Sequence, residues 1–466
     1  MVNENQKKIS RLFILFIAIQ PLLDVLTTWS IRELETDITI GIVIRLIAMV
    51  LGGVFLLLNY KGLTKHKVLY LVLLAIVLVG GLVNNLFVKE SFNFMTELQS
   101  VGKDVYSIVM LFVYLAVFKI LLKNKTYFPE VIVAATMLIN IVMIVSIATG
   151  TSLDTYRYLK FGLKGWFYAA NELGTILAMT YPIVIYFTIK KVDSLKKLWW
   201  WLLVTFTIFS MLIIGTKVGY GAVLIVLPIA SGSVAFEAMR KKKMTKVAIA
   251  NFVMPIIFMG LTIVLTPYLS ISSNTESHIE LVNQYNESVR PPEEVDEDEE
   301  VLEEPITEEE SQERDMLTEL IFSGRNQFLN QYIRDFEEAP LSQKLFGLGF
   351  GANYMNRPKV IERDFHDFFF HYGIVGFTLT MLPFIYYIGK SLIMVVKNFM
   401  SIFTVKFMML GSSLALGLGV AYIAGHVLTA PGVSIYLVSI LAYLYHELME
   451  LDSRQEIHSR KGKLNE

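Results

Sequence analysis

The chain of 466 residues is 54% hydrophobic and 18% charged, with a formal net charge of −1 and a mean hydropathy of +0.53. A soluble domain carries about 25% charged residues, so a soluble fold is excluded, and the near-neutral balance gives no basis for nucleic-acid binding. Cysteine is absent, which excludes disulfides and thiolate metal sites.

The apolar residues fall in runs of about 20, long enough to cross a hydrocarbon core of roughly 30 Å. In chain order the runs are 9–29, 38–58, 67–88, 104–122, 130–150, 166–189, 198–214, 217–236, 246–267, 367–389, 405–425 and 432–448. Each is expected to be a helix, because lipid offers the backbone no hydrogen-bond partner and barrel-type alternation is missing. The fold class is an all-α polytopic membrane protein of about twelve transmembrane helices. The first run, from Ile9 to Trp29, is too long for a cleavable signal peptide, and no small-residue cleavage site follows it.

Lys and Arg collect in alternate short connections. Examples are Lys7, Lys8 and Arg11 before the first span, Lys190, Lys191, Lys196 and Lys197 after the sixth, and Arg240 to Lys243 after the eighth. The positive-inside rule places these segments and both termini in the cytoplasm. Helices one to nine then occupy 1–267, a large extracytoplasmic loop 268–366, helices ten to twelve 367–448, and a cytoplasmic tail 449–466. Within the loop, about 274–313 is acidic, with the run Glu293 to Glu300 after Pro291 and Pro292, and reads as a disordered, solvated insertion. Beyond it, Phe328, Leu329, Tyr332, Ile333 and Phe336 recur at helical spacing until Pro340. They mark an amphipathic helix over about 323–339 that lies on the outer leaflet or caps the bundle.

Ionisable groups inside spans are costly and mark function by default. Asp24 and Arg45 fall at similar depth in the outward thirds of the first two spans and read as an ion pair. Asp104 reads as a cap at the outer start of the fourth span. Asn171 and Glu172 sit about one turn into the sixth, Lys217 in the hairpin between the seventh and eighth, and His426 at the outer end of the eleventh. His426 is read as an interfacial hydrogen-bonding group. These residues gather at the outer border rather than mid-bilayer, which favours a site there over a proton or ion pathway.

Four stretches carry the remaining signal. They are Gly165 to Gly174, Ile214 to Ala222, Ser323-Gly324-Arg325 leading to Phe346–Gly351, and Glu362 to Gly376. The glycines at 347–351 read as a turn, since no strand precedes them to make a dinucleotide fingerprint. In this order, with one large loop late in the chain, the sequence resembles the bacterial O-antigen ligase and polysaccharide polymerase superfamily over about 165–390.

That resemblance implies a membrane glycosyltransferase that polymerises or ligates undecaprenyl-diphosphate-linked polysaccharide at the outer face of the cytoplasmic membrane. Such an enzyme must neutralise the departing diphosphate and deprotonate an acceptor hydroxyl. Arginine suits the first task through its planar, permanently charged fork. Arg325 and Arg363, with Lys217 and the outer-loop Arg157, Lys160 and Lys164, are its candidates. Glu362, Asp364, His366 and Asp367 are the candidates for the second, with the acidic residues favoured and His366 assisting. Asn171, Glu172, Asp24 and Arg45 would support the site.

Two departures from the family pattern stand out. Lys217 replaces an arginine and loses bidentate geometry, and His366-Asp367 lies nearer the Gly373-x-x-Gly376 pair than the usual His-Asn pair does, with Glu362 at the expected distance. No cofactor is expected; the alternative is a divalent cation bridging the carboxylates and the diphosphate. The implied partners are the lipid-linked glycan, the bilayer, and a flippase and chain-length regulator of the same pathway. Rival readings are a transporter or flippase, although no repeat relates the two halves, and a non-enzymatic member of a polysaccharide assembly complex.

Overall fold

A computed structural model describes residues 4–36, 38–58, 65–121, 127–156, 160–289, 325–352 and 360–464. The chain opens with α1 (Glu4–Ala18) and α2 (Gln20–Glu33), which meet at a 54° bend. The bend falls where Pro21, in the first turn of α2, brings no N–H to continue the ladder. There follow α3 (Ile40–Leu58), α4 (Lys65–Val88), α5 (Phe94–Leu121), α6 (Phe128–Ala148), α7 (Ala170–Lys191), α8 (Trp201–Ile213), α9 (Lys217–Arg240) and α10 (Lys246–Leu265). Next come α11 (Ser270–Val289), α12 (Arg325–Glu338), α13 (Leu341–Phe346), α14 (Asp364–Lys397), the single turn α15 (Phe399–Ile402), α16 (Val405–Ile423) and α17 (Pro431–Leu464). Among the described residues, eleven helical stretches are long and apolar enough to cross a membrane, and the bent α1–α2 pair makes a twelfth. No strand forms there; one isolated bridge pairs Asp154 with Leu163.

Helices α5, α7 and α17 bury most of their length and form the centre, with α17 packed along α5 and α16 along α7. At the periphery, α4 and α10 expose apolar residues such as Ile76, Val79, Ile263 and Val264, as a lipid-facing surface requires.

Two expected boundaries move. The fourth span begins at Phe94 rather than 104. Glu97 lies inside this helix, where its carboxylate pairs with Lys89 at 2.5 Å, with both side chains almost fully buried. Asp104 is therefore not a helix cap: it lies inside α5 and accepts the Tyr372 hydroxyl at 2.6 Å. The tenth span starts at Asp364, three residues early. In the acidic segment, α11 carries helix through residues 274–289. The run Glu293 to Glu300, together with Ser323 and Gly324, lies outside the described residues.

The stretch expected to be amphipathic forms α12, which packs against α14. Tyr332 is fully buried in a small satellite core with Ala339, Leu348, Ala352, Ile361 and Phe370, its ring 5.6 Å from that of Phe370. Below it α14 is broken at Gly373, whose backbone is left-handed (φ 62°). A Cβ there would meet the Leu345 carbonyl at 2.7 Å. The break leaves the Phe370 and His371 carbonyls without helical partners, and the N–H groups of Leu348 and Gly349 take them at 2.8 and 3.2 Å. The 347–351 glycines thus form the turn expected of them, and that turn is bolted to α14.

Candidate functional site

The polar groups at the α12 end of the bundle are organised by two aspartates at the head of α14. Asp367 accepts the backbone N–H of Ile361 at 2.8 Å and of Arg363 at 3.0 Å. These bonds clasp the residue between them, Glu362, in a left-handed conformation (φ 62°), which costs about 1 kcal/mol or more for a non-glycine residue. Asp364 is fully buried. It accepts the N–H of Val427 at 2.8 Å, the N–H of Leu428 at 2.7 Å and the Thr429 hydroxyl at 3.0 Å, and so pins the connection between α16 and α17. His426 in that connection is also left-handed (φ 58°). The adjoining Gly425 lies so close to the Glu362 carbonyl that a Cβ would approach it to 2.5 Å.

The result is a carboxylate between two cations from separate elements. Arg325, the first residue of α12, donates from Nη2 to Glu362 Oε2 at 3.2 Å. His426 Nε2 stands 3.9 Å from the same oxygen. Burial disfavours the charged imidazole, but the neighbouring carboxylates of Glu362, Glu172 and Asp364 outweigh it and push His426 up to about 9. All three side chains keep some exposure: 12% for Arg325, 33% for Glu362 and 30% for His426.

Further positive charge surrounds this pair. Arg363 donates from Nε to the Tyr422 carbonyl at 3.2 Å and lies over the Tyr422 ring at 5.2 Å. Lys217 opens α9 behind the Thr216 cap, within electrostatic reach of both Arg325 and Lys160. Lys160 Nζ lies 3.2 Å from His278 Nδ1 on α11, and burial pulls its ammonium below the ordinary lysine range. Asn274 ties this side together: its amide bonds both ways with the Phe161 backbone, at 2.6 and 2.7 Å, and donates to Gly215 O at 3.1 Å. The loop carrying Lys160 and the hairpin carrying Lys217 are thereby fixed to one another. Lys164 Nζ lies over the Tyr168 ring, 6.0 Å from its centroid. Arg157 lies outside the described residues.

Of the four residues expected to supply a base, Asp367 spends its oxygens on backbone amides and Asp364 on two amides and the Thr429 hydroxyl, whereas Glu362 faces Arg325 and His426. His366 Nδ1 is buried with no hydrogen-bond partner, its ring 6.3 Å from that of Tyr422. Glu172 lies within electrostatic reach of His426 and also of Asp24 and Arg45, so it links the site to the ion pair in the first two spans. Asp24 and Arg45 meet at 2.5 Å, and Arg45 Nε donates to Gln20 Oε1 at 2.8 Å. Asn171 is exposed in the first turn of α7, its carbonyl accepting the Thr175 hydroxyl at 2.7 Å. Among the described residues, no group of three or more His, Asp or Glu is arranged to hold a metal ion.

Sequence reasoning left Asn274 and Gln20 without a role and read His426 only as an interfacial hydrogen-bonding group, not as a partner of Glu362. Gln20 beside Pro21 was the more readable of the two, as an amide inside an apolar run. Nothing local to Asn274 sets it apart, since its importance comes from the two loops it joins.

Next to the charged cluster lies an apolar groove of about 1820 Å³, with α9 and α16 as its walls and contributions from α14 and α17. It runs from Lys217 and Ile423 at the charged end to Phe407, Ile402 and Leu448 at the other. Its charged lining is Lys217, Glu276 and Glu280; Thr266, Ser272 and Thr275 lie near them, and Ser391 and Ser412 are the polar residues contributed by α14 and α16. The arrangement suits a molecule with a long apolar tail and an anionic head. A family model described as O-antigen ligase like membrane protein matches residues 6–451. A comparison with curated proteins finds no match.

Proposed function

Because the chain belongs to the family of O-antigen ligase like membrane proteins, we propose that it is a glycosyltransferase that polymerises or ligates undecaprenyl-diphosphate-linked polysaccharide. In this reading the charged end of the bundle faces outward, both termini are cytoplasmic, and the flippase and chain-length regulator of the same pathway are its partners. The observation that carries the reading is the junction of a cationic cluster with an apolar groove that runs the length of the bundle. The prenyl tail lies in the groove and the diphosphate meets Lys217 and Arg325 at its mouth, with Lys160 and Arg363 adding positive potential.

The acceptor hydroxyl oxygen attacks the anomeric carbon of the donor. The bond from that carbon to the phosphate oxygen breaks, and the electron pair leaves with the prenyl diphosphate, whose growing charge the guanidinium and ammonium groups stabilise. Glu362 takes the hydroxyl proton, with His366 close by on the same turn; Asp364 and Asp367 position them. Lys217 serves as a point charge rather than a bidentate clamp. Asn171, Glu172, Asp24 and Arg45 support the floor of the site, and Lys164 acts at its margin. The carboxylates of Asp364 and Asp367 are engaged by backbone groups, so a divalent cation would have to draw on other donors.

The test is purified full-length protein in liposomes supplied with lipid-linked repeat units. Longer chains are expected, and Arg325→Ala should abolish them while the protein remains folded in the membrane. Movement of the glycan across the vesicle without extension would replace this reading with a carrier, and neither extension nor movement would point to an assembly partner. Retained extension in Arg325→Ala would remove the diphosphate clamp.

A further inference from the structure

We propose that His426 is a second ligand of the donor's diphosphate, and that Glu362 holds the place of that diphosphate until the donor arrives. The inference rests on the function proposed above and assigns a role to the connection between α16 and α17, which that reading leaves unused.

Glu362 Oε2 is shared between Arg325 at 3.2 Å and His426 at 3.9 Å. One anionic group therefore already draws together a cation from α12 and a cation from the 425–429 connection, as a bridging phosphate would. The side chains differ in setting from the structural pair Lys89–Glu97, which is only 3% and 5% exposed. Here Glu362 and His426 are 33% and 30% exposed, so an incoming group can reach them. The backbone around both is built for the purpose. Two non-glycine residues sit in left-handed conformations, held there by five hydrogen bonds to Asp364 and Asp367. Strain sustained by such scaffolding is characteristic of functional positions.

The titratable groups facing His426 are Glu362 from the turn before α14, Asp364 from α14 itself and Glu172 from α7. A merely structural histidine would neutralise these acids and take no part in binding. A diphosphate carries more negative charge than one carboxylate and offers more acceptor oxygens, so it competes well for the guanidinium and the imidazolium. The exchange also releases a Glu362 oxygen for the acceptor hydroxyl, which couples donor binding to readiness of the base. Donor would thus arm the site before the acceptor is activated.

The experiment measures binding of farnesyl diphosphate, a short prenyl diphosphate, to the purified full-length protein by calorimetry at pH 7. Glu362→Gln should bind about tenfold more tightly than the natural protein, because the competitor has lost its charge, and His426→Gln about tenfold more weakly. Glu362→Gly provides a second variant that relieves the left-handed strain while removing the carboxylate; it too should bind more tightly. Unchanged or weaker binding in both Glu362 variants would overturn the place-holding role. Unchanged binding in His426→Gln would overturn its role as a ligand. If the natural protein itself binds no prenyl diphosphate, the functional reading falls and this inference falls with it. Binding by the natural protein without tightening in the Glu362 variants removes only the inference.

Discussion

Asp364, the first residue of α14, holds the backbone N–H of Val427 at 2.8 Å across a separation of 63 residues. With the bonds to Leu428 and Thr429, this makes one buried carboxylate the anchor of the connection that presents His426. Hydrogen bonds to a charged group are worth about 1.5–3 kcal/mol each and do not add fully. Asp364→Ala should therefore destabilise the protein by roughly 3 kcal/mol and abolish activity, whereas Asp364→Asn keeps an acceptor oxygen and should retain most of the stability. Thermal unfolding in detergent is the measurement. A melting temperature untouched in Asp364→Ala, with activity lost, would return this residue to the role of base.

The buried pair Lys89–Glu97 does comparable work on the other side of α14. Glu97 accepts the Phe350 N–H at 2.9 Å, and Lys89 donates to the Phe350 carbonyl at 2.8 Å, so the two charges grip one residue of the glycine turn from both sides. Removing one partner leaves an uncompensated buried charge, which costs about 3–5 kcal/mol. Lys89→Ala and Glu97→Ala should each lower the yield of monodisperse protein in size-exclusion chromatography. The double variant Lys89→Met/Glu97→Gln should recover much of it, because Gln can still accept from Phe350 and no lone charge remains. A double variant as poor as the singles would mean that the charges themselves are needed.

The number and placement of the spans were legible because apolar length is a local property and lipid imposes it. The same rule failed at Phe94 and at the α1–α2 bend. Glu97 fell outside the expected fourth span, since its partner Lys89 lies across a turn, and the backbone of Phe350 that completes the clamp lies more than 250 residues away. The candidate site was legible as a list and not as an arrangement. Arg325, Glu362 and Lys217 could be found from residue type and from their position at span ends. That Asp364 and Asp367 would be absorbed by amides could not, since those amides belong to a tight turn and to a connection 63 residues further on. His426 was visible as a polar residue at a span end, but its meaning depends on Glu362 standing beside it.

The charge on His426 gives a pH signature. Its folded-state value, about 9, lies above its ordinary value of 6.5, so between these the folded protein binds more protons than the unfolded chain and stability falls as pH rises. The contribution is complete below 6.5 and is lost as pH passes through about 9. The facing acids, Glu362, Glu172 and Asp364, are the source of the effect. The melting temperature of the natural protein should therefore drop between pH 7 and 9.5 by more than that of His426→Gln, and parallel curves for the two proteins would show that the imidazolium is not held. Glu362→Gln should show a smaller drop than the natural protein, because one of the three acids has lost its charge.

The groove permits a test that leaves the charged cluster alone. Gly221, Gly411 and Gly419 line it, and a Cβ built on any of them meets nothing within 4 Å. A large side chain at Gly411 or Gly419 therefore enters the groove without displacing a neighbouring helix. Gly411→Trp also replaces the residue least favourable to an α-helix after proline, a gain of up to about 1 kcal/mol in propensity. The fold should survive, as a melting temperature at or above that of the natural protein would show. If the groove receives the prenyl tail, the variant should raise KM at least tenfold for a donor on a long polyprenyl chain. A donor on a farnesyl-length chain should be spared, since its tail need not reach past the first turns of α9. Equal loss with both donors would mean that the substitution acts on the charged cluster. Equal retention would mean that the tail lies elsewhere, against the lipid-facing side of the bundle.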